Sequence, residues 1–279
     1  MVSFDQPRIA KALKGWLLTW ADRAQERCRD ELLRQLAAAR EAKGKDGAGP
    51  RRLAVATLHT PEIGEYSELA CAINRLYCDR HRYDYVELRD LLDREAAPTW
   101  HKPMVLGQLL RGEKLHGQKP YDYVMWMDAD AAFNNHEIAV DEILDLWPEH
   151  DFLISLDPAN VVPRECCAGV FIVRNTPWSR QFLDLWLAAG RTMNGGKYFD
   201  RRRRGKKDQV ILNRLLRMPD HAPHVKVLPS CYLNEDAHRA RGPASFILHA
   251  MASSMAERRA LFAELYARFH PPSPYTMRP

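Results

Sequence analysis

Two carboxylates one residue apart, Asp128 and Asp130, follow directly on five apolar residues, Tyr123-Val124-Met125-Trp126-Met127. The apolar run reads as a strand buried on both faces, and such a strand gains nothing in packing by ending in paired acids. Carboxylates held close together repel one another and are costly to desolvate, so a pair of them faces a cation or a cleft open to water. In open α/β sheets the ligand crevice lies outside the carboxyl ends of the strands, where this pair would sit. Oxygen ligands of this kind suit Mn²⁺ or Mg²⁺, ions that reach a protein through one or two carboxylates while substrate phosphates complete their coordination. The competing reading is a polar turn, with Ala131 and Ala132 opening a helix and the two acids serving as its N-terminal caps. His249, which ends the apolar run Phe246-Ile247-Leu248, is by itself an ordinary strand-end histidine.

The elements that must position these groups alternate along the chain. Leu53 to Leu58 predicts a first parallel strand whose polar end, with Thr57 and His59, would face a binding crevice. A helix follows over 65–80, then a strand over 83–88, a helix over 102–111, the acid-tipped strand and a helix near 137–146. Strands over 152–155 and 170–173, a helix over 208–217, strands over 225–228 and 246–248, and a closing helix over 255–269 complete the pattern. Alternation of this kind implies an α/β fold, a mostly parallel sheet covered by helices on both faces. Ahead of it, residues 7–42 carry apolar positions at helical spacing among many charges and predict one long helix or two. The Gly-rich stretch 44–50 reads as a linker, so 1–50 is expected to be an N-terminal helical segment and 51–279 the main domain.

The chain has 279 residues, of which 46% are hydrophobic, enough for one large core. Its net charge of +5 is mild and spread along the chain except at Arg201–Lys207, a basic block suited to a surface loop near a polyanion. No recognition-helix or RNA-binding-sheet signature accompanies that block, which argues against nucleic acid. The six cysteines show no zinc spacing, and the adjacent Cys166 and Cys167 make a poor disulfide framework. They are expected to be mostly small buried residues in a reducing compartment, with bridges left open by their even number. The best apolar run, Trp16 to Trp20, is far short of the roughly 20 residues of a spanning helix. A cytoplasmic protein, or the soluble catalytic part of a Golgi-type enzyme, is therefore expected. The N-terminal helices are a candidate homodimer contact.

Several motifs stand in one order: Tyr66 to Tyr85, Trp100-His101-Lys102-Pro103, Tyr121 to Ala131 around the acid pair, Gly169 to Asn175 with Trp178 and Phe182 to Trp186, Asp208-Gln209, and Leu248-His249. Together, over about 53–254, they resemble glycosyltransferase family 34, the galactosyl-, mannosyl- and xylosyltransferases with a GT-A (Rossmann-like) fold. The resemblance implies a retaining transfer from a nucleotide-diphosphate sugar to a glycan acceptor, with Mn²⁺ or Mg²⁺ as cofactor. UDP-galactose or UDP-xylose is expected ahead of GDP-mannose. It places Asp128, Asp130 and His249 at the metal, and Asp208 and Gln209 beside the reacting carbon as the catalytic pair. Thr57, His59, Lys102, Asp128 and Gly169 are the expected donor-binding residues, with Lys102 either by the diphosphate or paired with an acid. Trp100, Trp178 and Trp186 read better as packing than as sugar platforms.

The chain departs from the family in two places. Family members commonly have Asn-Thr-Gly where Cys167-Ala168-Gly169 stands, and a Gly and a Lys soon after the histidine, where Ala252 and Ser254 stand. Arg241, Arg258 or the 201–207 block could replace the lost cation. Two other functions compete. An apolar strand ending Asp-x-Asp also opens haloacid-dehalogenase-type phosphatases, but here it lies mid-chain and Ala132 stands where they carry Thr or Val. A non-catalytic glycan- or nucleotide-sugar-binding scaffold would have no need of Asp128, Asp130, Asp208, Gln209 and His249 together.

Overall fold

A computed structural model of the chain describes residues 6–43, 51–112, 119–158, 165–193, 208–238 and 244–270, with side chains of the first segment described over 23–42. The linker, the 201–207 basic block and Arg241 lie outside the described residues. In chain order the elements are α1 (Gln6–Lys43), β1 (Leu53–Leu58), α2 (Gly64–His81), β2 (Asp84–Leu88), α3 (His101–Arg111), β3 (Tyr123–Met127), β4 (Ala131–Phe133) and α4 (Val140–Leu146). They continue with β5 (Phe152–Leu156), β6 (Cys166–Arg174), α5 (Pro177–Met193), α6 (Asp208–Leu216), β7 (Val225–Leu228), α7 (Ser230–Leu233), β8 (Glu235–Asp236), β9 (Ile247–His249) and α8 (Met255–Phe269).

The main sheet has six strands in the order β2-β1-β3-β6-β5-β7. All run one way except β6, which is antiparallel to both β3 and β5. The fold is thus a mixed, mostly parallel sheet flanked by helices. β3 is buried at every position because it lies inside the sheet with helices over both faces. Its alternate residues serve two cores, as a pleat of period two requires. Val124 and Trp126 pack toward α3, α5 and α6, with Trp100, Leu106, Phe182, Trp186 and Leu212. Met125 and Met127 pack toward α1, α2, α4 and α7, with Leu36, Tyr77, Ile143 and Leu233. Trp100 and Trp186 are fully buried, as expected of packing residues, and Trp178 stacks on Phe182 and His224.

The helix of the competing reading does not form after the acid pair: Ala131 to Phe133 makes β4, which pairs antiparallel with β9 in a second, three-stranded sheet. Two expectations are corrected. The helix expected from 137 starts at Val140, where Glu142 turns back to accept from the Ala139 amide at 2.8 Å. The cysteines also divide differently. Cys71, Cys78, Cys166 and Cys167 are free and buried, but Cys28 of α1 is bridged to Cys231 of α7, 203 positions away. A bridge of this kind persists in oxidising surroundings, which removes the cysteine-based argument for a reducing compartment. No spacing rule could have paired these two, because the pairing depends on where α1 lies.

α1 is one helix, and its second half packs on the main domain. Leu32 and Leu36 enter the core, and Arg29 and Glu235 form a buried ion pair beside the bridge. Replacing both Cys28 and Cys231 by Ser should cost about 2–5 kcal/mol of stability. Urea melts of the double variant and of the reduced wild type should coincide, both well below the oxidised protein. Among the described residues, no helix is long and apolar enough to cross a membrane.

Candidate active site

The turn between β3 and β4 brings the acid pair to the sheet's edge, where the Asp128 carbonyl accepts from the Ala131 amide at 2.9 Å. β4 then pairs with β9 in the register Ala131 opposite His249, which makes neighbours of Asp130 and His249, 119 positions apart. His249 Nε2 lies 3.0 Å from Asp130 Oδ1, and its Nδ1 lies 2.6 Å from Asn234 Oδ1 at the end of α7. An imidazole whose Nδ1–H donates to an amide oxygen presents Nε2 to whatever shares Asp130, the arrangement that orients histidine ligands of metals. One ligand atom from each of Asp128, Asp130 and His249 falls within 4.8 Å of the others. Two carboxylate oxygens and one imidazole nitrogen fit Mn²⁺, and also Mg²⁺ when phosphate oxygens complete the shell.

The charged groups of the site perturb one another. Burial pushes the Asp130 carboxyl up, but the His249 charge and hydrogen bond and the Arg258 charge pull it down to about 2. His249 is raised well above its ordinary value, because Asp130 outweighs burial. Asp128 is raised by burial and by Asp130, against the pull of Lys102. It also accepts from the Trp126 indole at 2.7 Å.

Lys102, buried on α3, joins the acids. Its Nζ is 3.0 Å from Asp128 Oδ1, 3.2 Å from Asp208 Oδ2 and 2.9 Å from the Ala168 carbonyl. Of its two expected roles, the structure shows pairing with acids. Asp208 opens α6, where Trp186 donates to its carbonyl at 3.1 Å. Gln209 is held on both ends of its amide: Oε1 accepts from the Ala168 amide and Nε2 donates to Asp157 Oδ2, both at 3.0 Å. Gly169, one residue on in β6, accepts from the Asp128 amide at 2.8 Å and lies against the His249 ring. Cys167, where the family commonly has Asn, places its sulfur 3.9 Å from His249 Nδ1.

Of these groups, Lys102, Asp128 and Asp130 line a cleft of about 150 Å³, together with Leu58, Tyr66 and Thr99 among others. Thr57 and His59 are buried on the face that α2 covers. His59 bonds Ser67 Oγ at 3.0 Å and Glu87 Oε1 at 3.1 Å, and neither Thr57 nor His59 lines that cleft. The structure therefore brings together Lys102, Asp128, Asp130, Gly169, Asp208, Gln209 and His249, and leaves Thr57 and His59 apart. Sequence reading missed Asn234, Asp157 and Tyr66, whose types carry no signal outside the fold. It also could not foresee that Ala252, where the family has Gly, takes a left-handed φ of 57°. The chain keeps the turn that favours glycine there.

No family model matches the chain. It is 26% identical over 219 residues to galactomannan galactosyltransferase 1 of Cyamopsis tetragonoloba, covering 75% of this chain and 46% of that protein. Xyloglucan 6-xylosyltransferase 4 of Arabidopsis thaliana is 28% identical over 134 residues, 46% of this chain and 25% of its own length. The chain thus spans less than half the length of these relatives. Among solved structures, a glycosyltransferase involved in glycosylation of the major capsid of PBCV-1 superposes with a TM-score of 0.61 at 17% identity, covering 76% of this chain and 99% of that one. The bifunctional glycosyltransferase WbbM reaches 0.50 at 13% identity, over 80% of this chain and half of its own. In sequence the chain is similar to these galactosyl- and xylosyltransferases, and in architecture it has a GT-A fold.

Proposed function

We propose that this chain is a metal-dependent, retaining glycosyltransferase that moves a sugar from a nucleotide-diphosphate donor, UDP-galactose or UDP-xylose first, to a glycan acceptor. The observation that carries the reading is the convergence of Asp128, Asp130 and His249 from separate elements beside a cleft. A divalent ion held by these three would supply Lewis-acid stabilisation of the diphosphate's charge, so that no protein acid need protonate the leaving group. Asn234 keeps the His249 ring oriented, and Lys102 neutralises Asp128 and Asp208, which would otherwise repel each other and the donor.

Retention needs either a nucleophile on the sugar's far face or attack from the same face within a short-lived ion pair. Asp208 is paired with Lys102, and Gln209 is an amide with both ends engaged. Neither is disposed as a strong nucleophile, which favours same-face attack. Gln209 would then steady the developing positive charge and orient the sugar. Replacing Gln209 by Ala should lower kcat about 10- to 100-fold, the worth of a hydrogen bond to a charged centre. Nucleotide affinity should stay within about twofold. An unchanged kcat in steady-state assays would remove Gln209 from the reacting centre.

The test of the reaction is nucleotide release from a panel of UDP- and GDP-sugars, with Mn²⁺ and with chelator. Chelator-sensitive hydrolysis of one donor supports the proposal and names its sugar. Metal-dependent nucleotide binding without hydrolysis or transfer, even with a glycan acceptor panel supplied, would make the chain a nucleotide-sugar-binding scaffold instead.

A further inference from the structure

The cleft contains more negative charge than its buried lysine can offset. Lys102 is 4% exposed and its ammonium is already shared among Asp128, Asp208 and the Ala168 carbonyl. A second cation stands on the other side of the acid pair. Arg258, in the first turn of α8, places Nη2 2.9 Å from Asp130 Oδ2. Its Nε donates to the Ala250 carbonyl at 3.1 Å, and its guanidinium lies over the ring of Tyr66, a residue lining the cleft, 5.3 Å from the centroid. The side chain is 20% exposed, so the fork is held from two sides and still open to water.

The start of α8 explains how the arginine reaches this place. Ser254 caps the helix: its Oγ accepts from the Glu257 amide at 3.3 Å, and Glu257 Oε2 accepts from the Ser254 amide at 2.7 Å. Position 258 lies one turn along from the cap, on the same side of the helix. Through the Ala250 amide, which donates to the Asp130 carbonyl at 2.8 Å, the chain entering α8 is tied to the acid pair itself.

We propose that Arg258 binds the terminal phosphate of the nucleoside diphosphate, moving from Asp130 to the phosphate when the acid turns to its cation. This rests on the nucleotide-sugar reading above. A guanidinium presents parallel N–H donors that match phosphate oxygens, and it does not lose its charge at any working pH. Rupture of the bond between sugar and diphosphate leaves its electron pair, and one further negative charge, on the terminal phosphate. A cation there binds the departing diphosphate more tightly than the intact donor.

The experiment is calorimetric titration of UDP, GDP and UMP, with saturating Mn²⁺, into wild type, Arg258→Gln and Arg258→Lys, together with Mn²⁺ alone. Arg258→Gln should bind UDP at least tenfold more weakly and UMP within twofold of wild type. It should bind Mn²⁺ alone as well as wild type or better, since a competitor for Asp130 is gone. A merely structural role would weaken all three ligands together. Should the Gln variant fail to fold, Arg258→Lys, which keeps the charge without the fork, should lose at least threefold for UDP and nothing for UMP. Equal UDP affinity in wild type and the folded variants overturns the assignment of Arg258 while leaving the proposed function standing. If the wild type binds GDP and not UDP, the same comparison is read with GDP and GMP. A wild type that binds no nucleoside diphosphate sinks the proposed function, and this inference with it.

Discussion

On the proposed function, Asp130→Asn should lose Mn²⁺ binding and at least about a hundredfold in turnover, the scale of transition-state charge stabilisation that a bound divalent ion supplies. Asparagine has nearly the same shape but only one neutral acceptor, and the proposed ligand set would drop to one carboxylate and one imidazole. Electron paramagnetic resonance of free Mn²⁺ gives the affinity, and nucleotide release gives the rate. Wild-type binding and turnover in this variant would remove Asp130 from the metal site. Asp130 also helps to hold the fold. Its carboxylate is partly buried and is shared by His249 Nε2 and Arg258. Deleting it strands two cationic groups, so Asp130→Ala should also lower the melting temperature, whereas Asp130→Asn, which keeps one acceptor, should lower it less.

Gly169→Ala should disable the site without touching a ligand. A Cβ at position 169 would lie 2.2 Å from His249 Cε1 and 2.8 Å from its Nδ1, closer than real methyl contacts allow. The ring has nowhere to retreat. Asn234 and Asp130 hold its two nitrogens, Cys167 lies beside it, and it is only 4% exposed. Either the ring leaves Asp130 or β6 shifts, and β6 also carries the Ala168 amide that holds Gln209 and the Gly169 carbonyl that holds the Asp128 amide. We expect about 1–3 kcal/mol of lost stability from overpacking and a loss of Mn²⁺ affinity at least as large as that of His249→Ala. The two variants compared by calorimetry decide the matter: Mn²⁺ affinity in Gly169→Ala equal to wild type would mean that the ring does not need the space the glycine leaves.

The two variants mark the boundary between what was legible in the residues and what was not. The core of the sheet was legible because strands buried on both faces are continuous apolar runs, and those of β1, β3, β5 and β6 all form strands. The acid pair was legible because its two members are adjacent and follow a strand directly. Thr57 and His59, expected at the donor site from their place at a strand end, do not line the cleft. Strand ends look alike in sequence, but a pleat sends alternate residues to opposite faces, and the odd-numbered face of β1 lies under α2, where His59 meets Ser67 and Glu87. Nothing in the run Leu53 to His59 says which face looks toward Asp128.

What the sequence by itself determined is the set of parts: a mostly parallel α/β sheet, a strand tipped with two carboxylates, and an ordered series of motifs that resembles family 34. These are local properties, carried by periodicity and by neighbours along the chain. Only the tertiary structure decided how the parts meet. β4 forms where the competing reading had a helix because its three residues pair with β9, and that pairing sets His249 against Asp130. α1 found its role through Leu32, Leu36, Arg29 and the bridge to Cys231, on the segment that also carries Asn234. Contacts across more than a hundred residues depend on which faces are buried together, and that choice is made by the whole core rather than by any run of the chain.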